Sequence, residues 1–335
     1  MPLAFVTGAT GFVGLNLIEA LGRDGWDVVA LHRSSSDVSE LLHRGVERRE
    51  GDITDLDAVR SAMPEHADVV FHVAGDTSLW RRHRAGQTLV NVRGTRNLVK
   101  AALERRAARF VHTSSAVAFG LHSGRINEQT PVSAAKSPID YVRTKALAER
   151  EIRRGIARGL QAVIINPANI LGRYDYNNWS KLFQLIQQRR LPGMPDGGGS
   201  FCHAEAVASA HIAAARDGRV GNNYLLGGQD AAYLTLVKRV ARVLGRTVAP
   251  RPLPVPVLAA YARLEETVAP VFRRAPDLTR ETVTLLASNI YCDTTRARQE
   301  LGFECVSMER MLRETMDWMV EAGLLASVNP SNRSV

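Results

Sequence analysis

Cysteine is scarce in this chain of 335 residues, which has only Cys202, Cys292 and Cys305. Three scattered cysteines support neither a disulfide framework nor a zinc site. Long apolar runs are missing as well. Every hydrophobic stretch is broken by charge well short of the roughly 18 residues that a membrane span needs, so no span is expected. Met1-Pro2-Leu3-Ala4-Phe5-Val6 carries no basic leader, so no secretory signal is expected and the reducing cytoplasm is the expected compartment. Lysine is rare too: of 43 basic residues, only Lys100, Lys136, Lys145, Lys181 and Lys238 are not arginine. Against 34 acidic residues the net charge is +9. Nucleic-acid binding is one reading of that sum. The arginines, however, spread over the whole chain and lack the interleaved aromatics of a stacking platform. No nucleic-acid partner is expected, and an anionic cofactor or substrate is the simpler use of the charge. There is no internal repeat or low-complexity tract. A content of 45% hydrophobic and 23% charged residues is ordinary globular usage and excludes disorder and collagen-like architectures. At roughly 150 residues per domain, the length suggests about two structural units.

What is present is an alternation. Strand-like segments at Leu3 to Val6, Trp26 to Leu31, Val46 to Arg49, Asp68 to Val73, Arg109 to Thr113 and Ala162 to Asn166 are separated by helical patterns, clearest at 12–22, 86–107 and 138–154. Short continuous apolar strands between helices predict a parallel sheet covered on both faces, a doubly wound α/β fold of Rossmann type. Ligands are then expected outside the carboxyl ends of the strands. The predicted dinucleotide-binding domain spans 1–168, with a return segment at about 204–228 (helix 204–216, strand 223–226). A smaller, mostly helical substrate-binding domain takes 169–203 and 229–325, and 326–335 is a frayed tail. The run Pro195-Asp196-Gly197-Gly198-Gly199-Ser200 reads as loop, after a helix near 178–189. Helices are also expected at 257–268, in a proline-rich stretch, and at 308–322.

Thr7-Gly8-Ala9-Thr10-Gly11-Phe12-Val13-Gly14 lies between the first strand and the first helix. Gly8 permits the tight turn, Gly11 lets backbone meet a pyrophosphate, and Gly14 allows close packing of helix on strand. The helix N-terminus then points free N–H groups at the anion. Thr10, Phe12 and Val13 complete this cofactor-binding loop. No G-K-[ST] follows, which excludes a P-loop. The second strand ends in His32-Arg33-Ser34-Ser35-Ser36 rather than an acidic residue. Arg33 can pair with a ribose 2′-phosphate, so NADP(H) is favoured over NAD(H) as cofactor; a solvated surface arginine is the other reading.

Tyr141-Val142-Arg143-Thr144-Lys145 places a phenol and an ammonium four apart. Ser137-Pro138 reads as the N-cap and first residue of their helix, putting both on one face. The ammonium is expected to lower the phenol's pKa. Ser114-Ser115-Ala116 sits at the carboxyl end of a strand, where a hydroxyl can hold a substrate carbonyl while Tyr141 passes the proton.

These motifs together resemble an extended short-chain dehydrogenase/reductase, of the NAD-dependent epimerase/dehydratase family, nearest to its dihydroflavonol reductase and 3β-hydroxysteroid dehydrogenase branch. The resemblance runs nearly end to end through the glycine loop, Gly51-Asp52-Ile53-Thr54-Asp55, Asp68 to Gly75, Asn91-Val92-Arg93-Gly94-Thr95-Arg96-Asn97-Leu98, Ser114-Ser115-Ala116, Tyr141 with Lys145, and Asn166-Pro167. It implies catalytic Ser115, Tyr141 and Lys145. It implies adenine contacts from Asp52 and Ile53, a path beside ribose and nicotinamide for Ala74 and Gly75, and Pro167 flanking the nicotinamide. Asn91 falls on a central helix near the site, and Lys145 also bonds the nicotinamide ribose. Asp52 has a second reading as a helix cap for 55–63. His72 reads as a core histidine, and His203 and His211 suggest no metal.

The expected activity is hydride transfer between NADP(H) and a ketone or secondary alcohol, with a small-molecule substrate and a homodimer as the assembly. Ala116-Val117 stands where dehydratases of the family carry Asp-Glu, so dehydration is not expected. The alternatives are a nucleotide-sugar epimerase with retained NAD(P) and a non-catalytic NADP(H)-binding sensor. Arg143 reads as a surface residue or as facing an acidic substrate group. Trp179, Phe183, Tyr261 and Phe272 read mostly as core, with pocket lining the alternative.

Overall fold

The computed structural model describes residues 1–249 and 251–326, so nearly all of the expected tail lies outside the described residues. Among the described residues the strands are β1 (Leu3–Thr7), β2 (Asp27–His32), β3 (Glu47–Glu50), β4 (Val69–His72), β5 (Arg109–Thr113), β6 (Gly124–Ile126), β7 (Ala162–Pro167), β8 (Asn169–Leu171), β9 (Gly198–His203), β10 (Asn223–Leu226), β11 (Gln229–Ala232) and β12 (Asn289–Cys292). The α-helices are α1 (Phe12–Arg23), α2 (Ser39–His43), α3 (Leu56–Ala62), α4 (Arg84–Thr88), α5 (Thr95–Glu104), α6 (Asp140–Ile156), α7 (Ser180–Gln187), α8 (Ala204–Arg216), α9 (Tyr233–Val243), α10 (Val255–Val268), α11 (Arg280–Leu286), α12 (Thr295–Leu301) and α13 (Met308–Glu321).

Seven strands form one parallel sheet in the order β10-β7-β5-β4-β1-β2-β3. Its inner strands are apolar on both sides because both faces are covered, whereas the edge strand β3 is Glu47-Arg48-Arg49-Glu50 and mostly exposed. Ala4, Val6, Phe71 and Val111 pack in one layer with Leu17 and Leu21 of α1 and Val207 of α8. The alternate residues Phe5, Val70, Phe110 and Ile164 meet Val59 of α3, Leu98 of α5 and Ile152 of α6. From β1 the chain runs to β2 and β3 on one side, then crosses to β4 on the other. That reversal opens a crevice at the carboxyl ends of β1 and β4, where a doubly wound sheet takes its ligands.

A second sheet, β11-β9-β12-β6 with β8 alongside β9, accompanies the C-terminal helices. The glycine run expected to be loop enters β9 instead. A Cβ at Gly199 would lie 2.8 Å from Asn169 Nδ2 and 3.2 Å from the Tyr233 hydroxyl, so glycine here serves close packing rather than turning. The expected 86–107 helix is also interrupted: α4 and α5 are joined through a π-helical turn at Leu89–Gly94. The Ser137-Pro138 start is corrected as well. Helix α6 begins at Asp140 after the uncapped Ile139, and Ser137 Oγ accepts from Ile139 N–H at 3.2 Å. Arg143 secures that start by donating to the Ser137 carbonyl at 3.1 Å and to the Asp140 carboxylate, which engages it within its own helix. Trp179 stacks on Tyr233 at 5.4 Å and Phe183 is fully buried. Tyr261 and Phe272 are not core residues: Tyr261 is 38% exposed, because α10 turns Leu258 and Ala262 inward instead, and Phe272, in the turn after that helix, is 71% exposed.

Candidate active site

The glycine loop closes the crevice at β1. Gly8 has φ +71°, and a Cβ there would come within 2.6 Å of Ala74 N, so the β1 and β4 loops meet backbone to backbone. Ala74 N–H donates to Thr7 Oγ1 at 3.3 Å across the same junction. A Cβ on Gly14 would overlap the Gly8 carbonyl. Helix α1 starts after Gly11 with no side-chain cap and no acidic residue in its first turn. Its first N–H groups therefore lack a side-chain partner and suit an anion. Thr10, Phe12 and Val13 are all partly exposed on this lip.

The other expected cofactor residues lie along the same edge of the sheet. Arg33 follows β2; it is exposed, has no ion pair among the described residues, and its backbone N–H donates to Ser36 Oγ at 3.3 Å. Asp52 and Ile53 follow β3. The Asp52 carboxylate accepts from Thr54 N–H at 2.8 Å, whereas the cap of α3 is Asp55. Ile53 is buried, and its carbonyl accepts from Asn97 Nδ2 at 2.9 Å. Pro167 ends β7, buried and in register with Leu226 of β10.

Tyr141 and Lys145 share a face of α6, as their spacing requires. The Lys145 ammonium is buried and donates to the Thr113 carbonyl at the end of β5 at 2.9 Å. Burial lowers its pKa to about 8, with the Glu149 carboxylate opposing the shift. Tyr141 departs from expectation. Burial raises its pKa, and a hydrogen bond with Ser115 only partly offsets this, since the Lys145 ammonium is directed to the strand carbonyl. The phenol is a neutral proton donor at neutral pH. With Leu79, Val117, Leu121 and Leu285, its ring packs against the buried Ala134, Ile139, Val142 and Ala146, one apolar cluster.

Gly75 lies between the two halves of the site. A Cβ there would sit 3.3 Å from Lys145 Nζ and 3.4 Å from Asn91 Oδ1. Asn91 projects from the π-helical turn, whose geometry often marks functional sites. Its amide accepts from Asp76 N–H at 2.7 Å and donates to the Asp76 carbonyl at 2.8 Å and to Thr144 Oγ1 at 3.0 Å. Asn91 thereby fixes the loop after β4 against α6.

Sequence reasoning missed Glu149. One turn beyond Lys145, it is buried, accepting from Ser114 Oγ at 2.5 Å, Asn166 Nδ2 at 2.7 Å and Asn223 Nδ2 at 3.1 Å. Its i+4 spacing from Lys145 was the available signal. Among the histidines, His72 bonds Thr7 Oγ1 at 3.0 Å and Thr95 Oγ1 at 2.9 Å. His203 pairs with Glu314 at 2.8 Å, and His211 bonds Thr113 Oγ1 at 2.8 Å. Among the described residues, no three His, Cys, Asp or Glu side chains are grouped to hold a metal ion.

A seven-stranded parallel sheet with a glycine cradle at its switch point and a Ser-Tyr-Lys grouping beside it defines a nucleotide-dependent enzyme of the short-chain dehydrogenase/reductase class. The sequence model of the NAD-dependent epimerase/dehydratase family matches residues 4–227, and the chain belongs to that family, as an extended short-chain dehydrogenase/reductase. It is 32% identical to sterol demethylase protein B of Methylococcus capsulatus, over 96% of this chain and 99% of that one. It is 30% identical to 4-hydroxy-2-methyl-3-oxo-4-farnesyl-3,4-dihydroquinoline-1-oxide ketoreductase of Stigmatella aurantiaca, over 89% and 91% of the two chains. The crystal structure of gox2253 superposes with a TM-score of 0.84 at 29% identity, covering 97% of this chain and all of that one.

Proposed function

We propose that this enzyme is an NADP(H)-dependent reductase of ketones, or dehydrogenase of the matching secondary alcohols, whose substrate is flanked by apolar groups. The observation that carries the reading is Tyr141, bonded to Ser115 and sharing one apolar cluster with Leu79, Val117, Leu121 and Leu285. A relative named as a ketoreductase points the same way.

Gly8 and Gly14 keep the loop tight, since a Cβ at either would meet backbone, and the loop leads to the uncapped N-terminus of α1, so the residues fit a dinucleotide pyrophosphate. Asp52 and Ile53 would border the adenine, Ala74, Gly75 and Pro167 the ribose and nicotinamide, and Arg33 the 2′-phosphate. When bound, the nicotinamide supplies or accepts the hydride. Ser115 Oγ donates to the substrate carbonyl oxygen, and Tyr141 Oη delivers the proton that makes it a hydroxyl. Lys145 holds a positive charge beneath the site and would reach the nicotinamide ribose. Asn91 keeps the Gly75 and Asp76 backbone in place.

The test is NADPH consumption over a panel of apolar ketones, with cofactor affinity measured by fluorescence. Tyr141→Phe is expected to lower kcat by at least 100-fold, the typical contribution of a placed acid, while NADPH affinity holds. Arg33→Ala is expected to weaken NADPH by roughly tenfold or more and to leave NADH unchanged. Full turnover in Tyr141→Phe refutes the proton role, and unchanged NADPH affinity in Arg33→Ala refutes the cofactor preference. Retention of one cofactor molecule through turnover, without net NADPH loss, would identify an epimerase instead.

A further inference from the structure

Helix α10 is apolar on both faces. Inward, Leu258 and Ala262 pack against Leu253, Leu278 and Val283. Outward, Val257 (54% exposed), Tyr261 (38%) and Leu264 (61%) recur at helical spacing, and the turn after the helix adds Val271 (77%) and Phe272 (71%). Isolated exposed hydrophobics are common, but a surface helix normally turns polar residues to water. Among the described residues, the charges near this face without an ion-pair partner are arginines. Arg251, Arg263 and Arg273 are exposed and have no ion pair among the described residues. The acids of the helix are already engaged, Glu265 by Arg274 at 2.9 Å and Glu266 by Arg280 at 2.8 Å.

We propose that the outer face of α10, with the turn at 269–274, docks on an anionic lipid bilayer. An apolar stripe with unpaired arginines on the same helix and in the adjoining chain suits the boundary between negative headgroups and acyl chains. A second copy of this chain fits less well, because it would set like charges around a shared apolar centre. Among the described residues no helix is long and apolar enough to cross a membrane, so the contact is peripheral. The face is joined to the candidate site through α11. Val283 packs under α10, Leu285 shares an apolar cluster with Tyr141, Thr279 Oγ1 donates to the Leu79 carbonyl at 2.8 Å, and Glu281 pairs with Arg81 at 3.1 Å. The inference concerns where the protein resides, so it stands whether or not the reductase reading does.

The test is flotation of the full chain with phosphatidylcholine vesicles, with and without phosphatidylglycerol. Binding is expected only with phosphatidylglycerol and is expected to weaken as salt rises. The double change Leu264→Ser with Phe272→Ser should lower the partition coefficient by at least tenfold. Arg263→Ser with Arg273→Ser should lower it by roughly tenfold or more, at about fivefold per arginine. Arg298→Ser on α12 should leave it unchanged. All five altered side chains are exposed, and an unchanged thermal midpoint checks the fold. The proposal is overturned by failure to bind phosphatidylglycerol vesicles at low salt, by equal loss in Arg298→Ser, or by full binding after the Leu264 and Phe272 changes. A dimer in light scattering that those two changes convert to monomer would assign the face to a second copy and overturn it as well.

Discussion

Lys145 is a buried amine with a carboxylate one helical turn away. Burial brings its pKa down to about 8, and Glu149 keeps it from falling further. The ammonium is therefore present below about pH 8 and is lost as pH rises through that value. If Lys145 serves the reaction as proposed, kcat/KM with NADPH is expected to fall above about pH 8. Glu149→Gln retains the shape and much of the hydrogen bonding to Ser114, Asn166 and Asn223 but removes the negative charge. The falling limb of the pH profile should then shift to lower pH. A limb that stays in place would show that Glu149 serves packing alone. Tyr141 teaches a related lesson at this scale. Its Tyr-x-x-x-Lys spacing is legible in the chain, but the direction of its pKa shift is not, because that depends on the burial the phenol gains only in the folded chain.

Among the elements, the turn at Leu89–Gly94 shows how one glycine serves two neighbours. A Cβ on Gly94 would lie 2.6 Å from Ile53 Cδ1, and the Ile53 backbone is held by Asn97. Gly94→Ala is therefore expected to destabilise the fold by about 1 kcal/mol in urea unfolding. Overpacking of about 1–3 kcal/mol outweighs the roughly 1 kcal/mol that helix propensity returns. Adding Ile53→Ala should cost less than the sum of the two single changes, because the crowded atoms are gone. A stabilised Gly94→Ala would refute the close approach. The π turn itself escaped the sequence because a single extra residue barely disturbs helical periodicity. Its cause is tertiary: Asn91 bonds both backbone groups of Asp76 from another loop. The expected cap at Ser137 failed for a similar reason, since Arg143 reaching back to the Ser137 carbonyl and Asp140 secures a later start.

For the molecule as a whole, β6 leaves the stretch between β5 and α6 to pair with β12, which comes from residues 289–292. The two sheets therefore share chain rather than a linker. One calorimetric transition is expected, with calorimetric and van't Hoff enthalpies equal; two separated transitions would show that the sheets unfold independently. The parallel sheet was legible because its signal is local: apart from the charged edge strand β3, its strands are short apolar runs, and each helix carries its own stripe. Strands β1, β2, β4, β5, β7 and β10 and the loop at Gly8 to Gly14 follow from that alone, as does the presence of Ser115, Tyr141 and Lys145 on strand end and helix. The second sheet was hidden because its strands are three to six residues long and one of them opens on glycines, with no periodicity to read. The buried partners of Lys145 and the outward apolar face of α10 also depended on the fold. Local patterning determines which face of an element is apolar, whereas only packing determines whether a particular face is covered or left open.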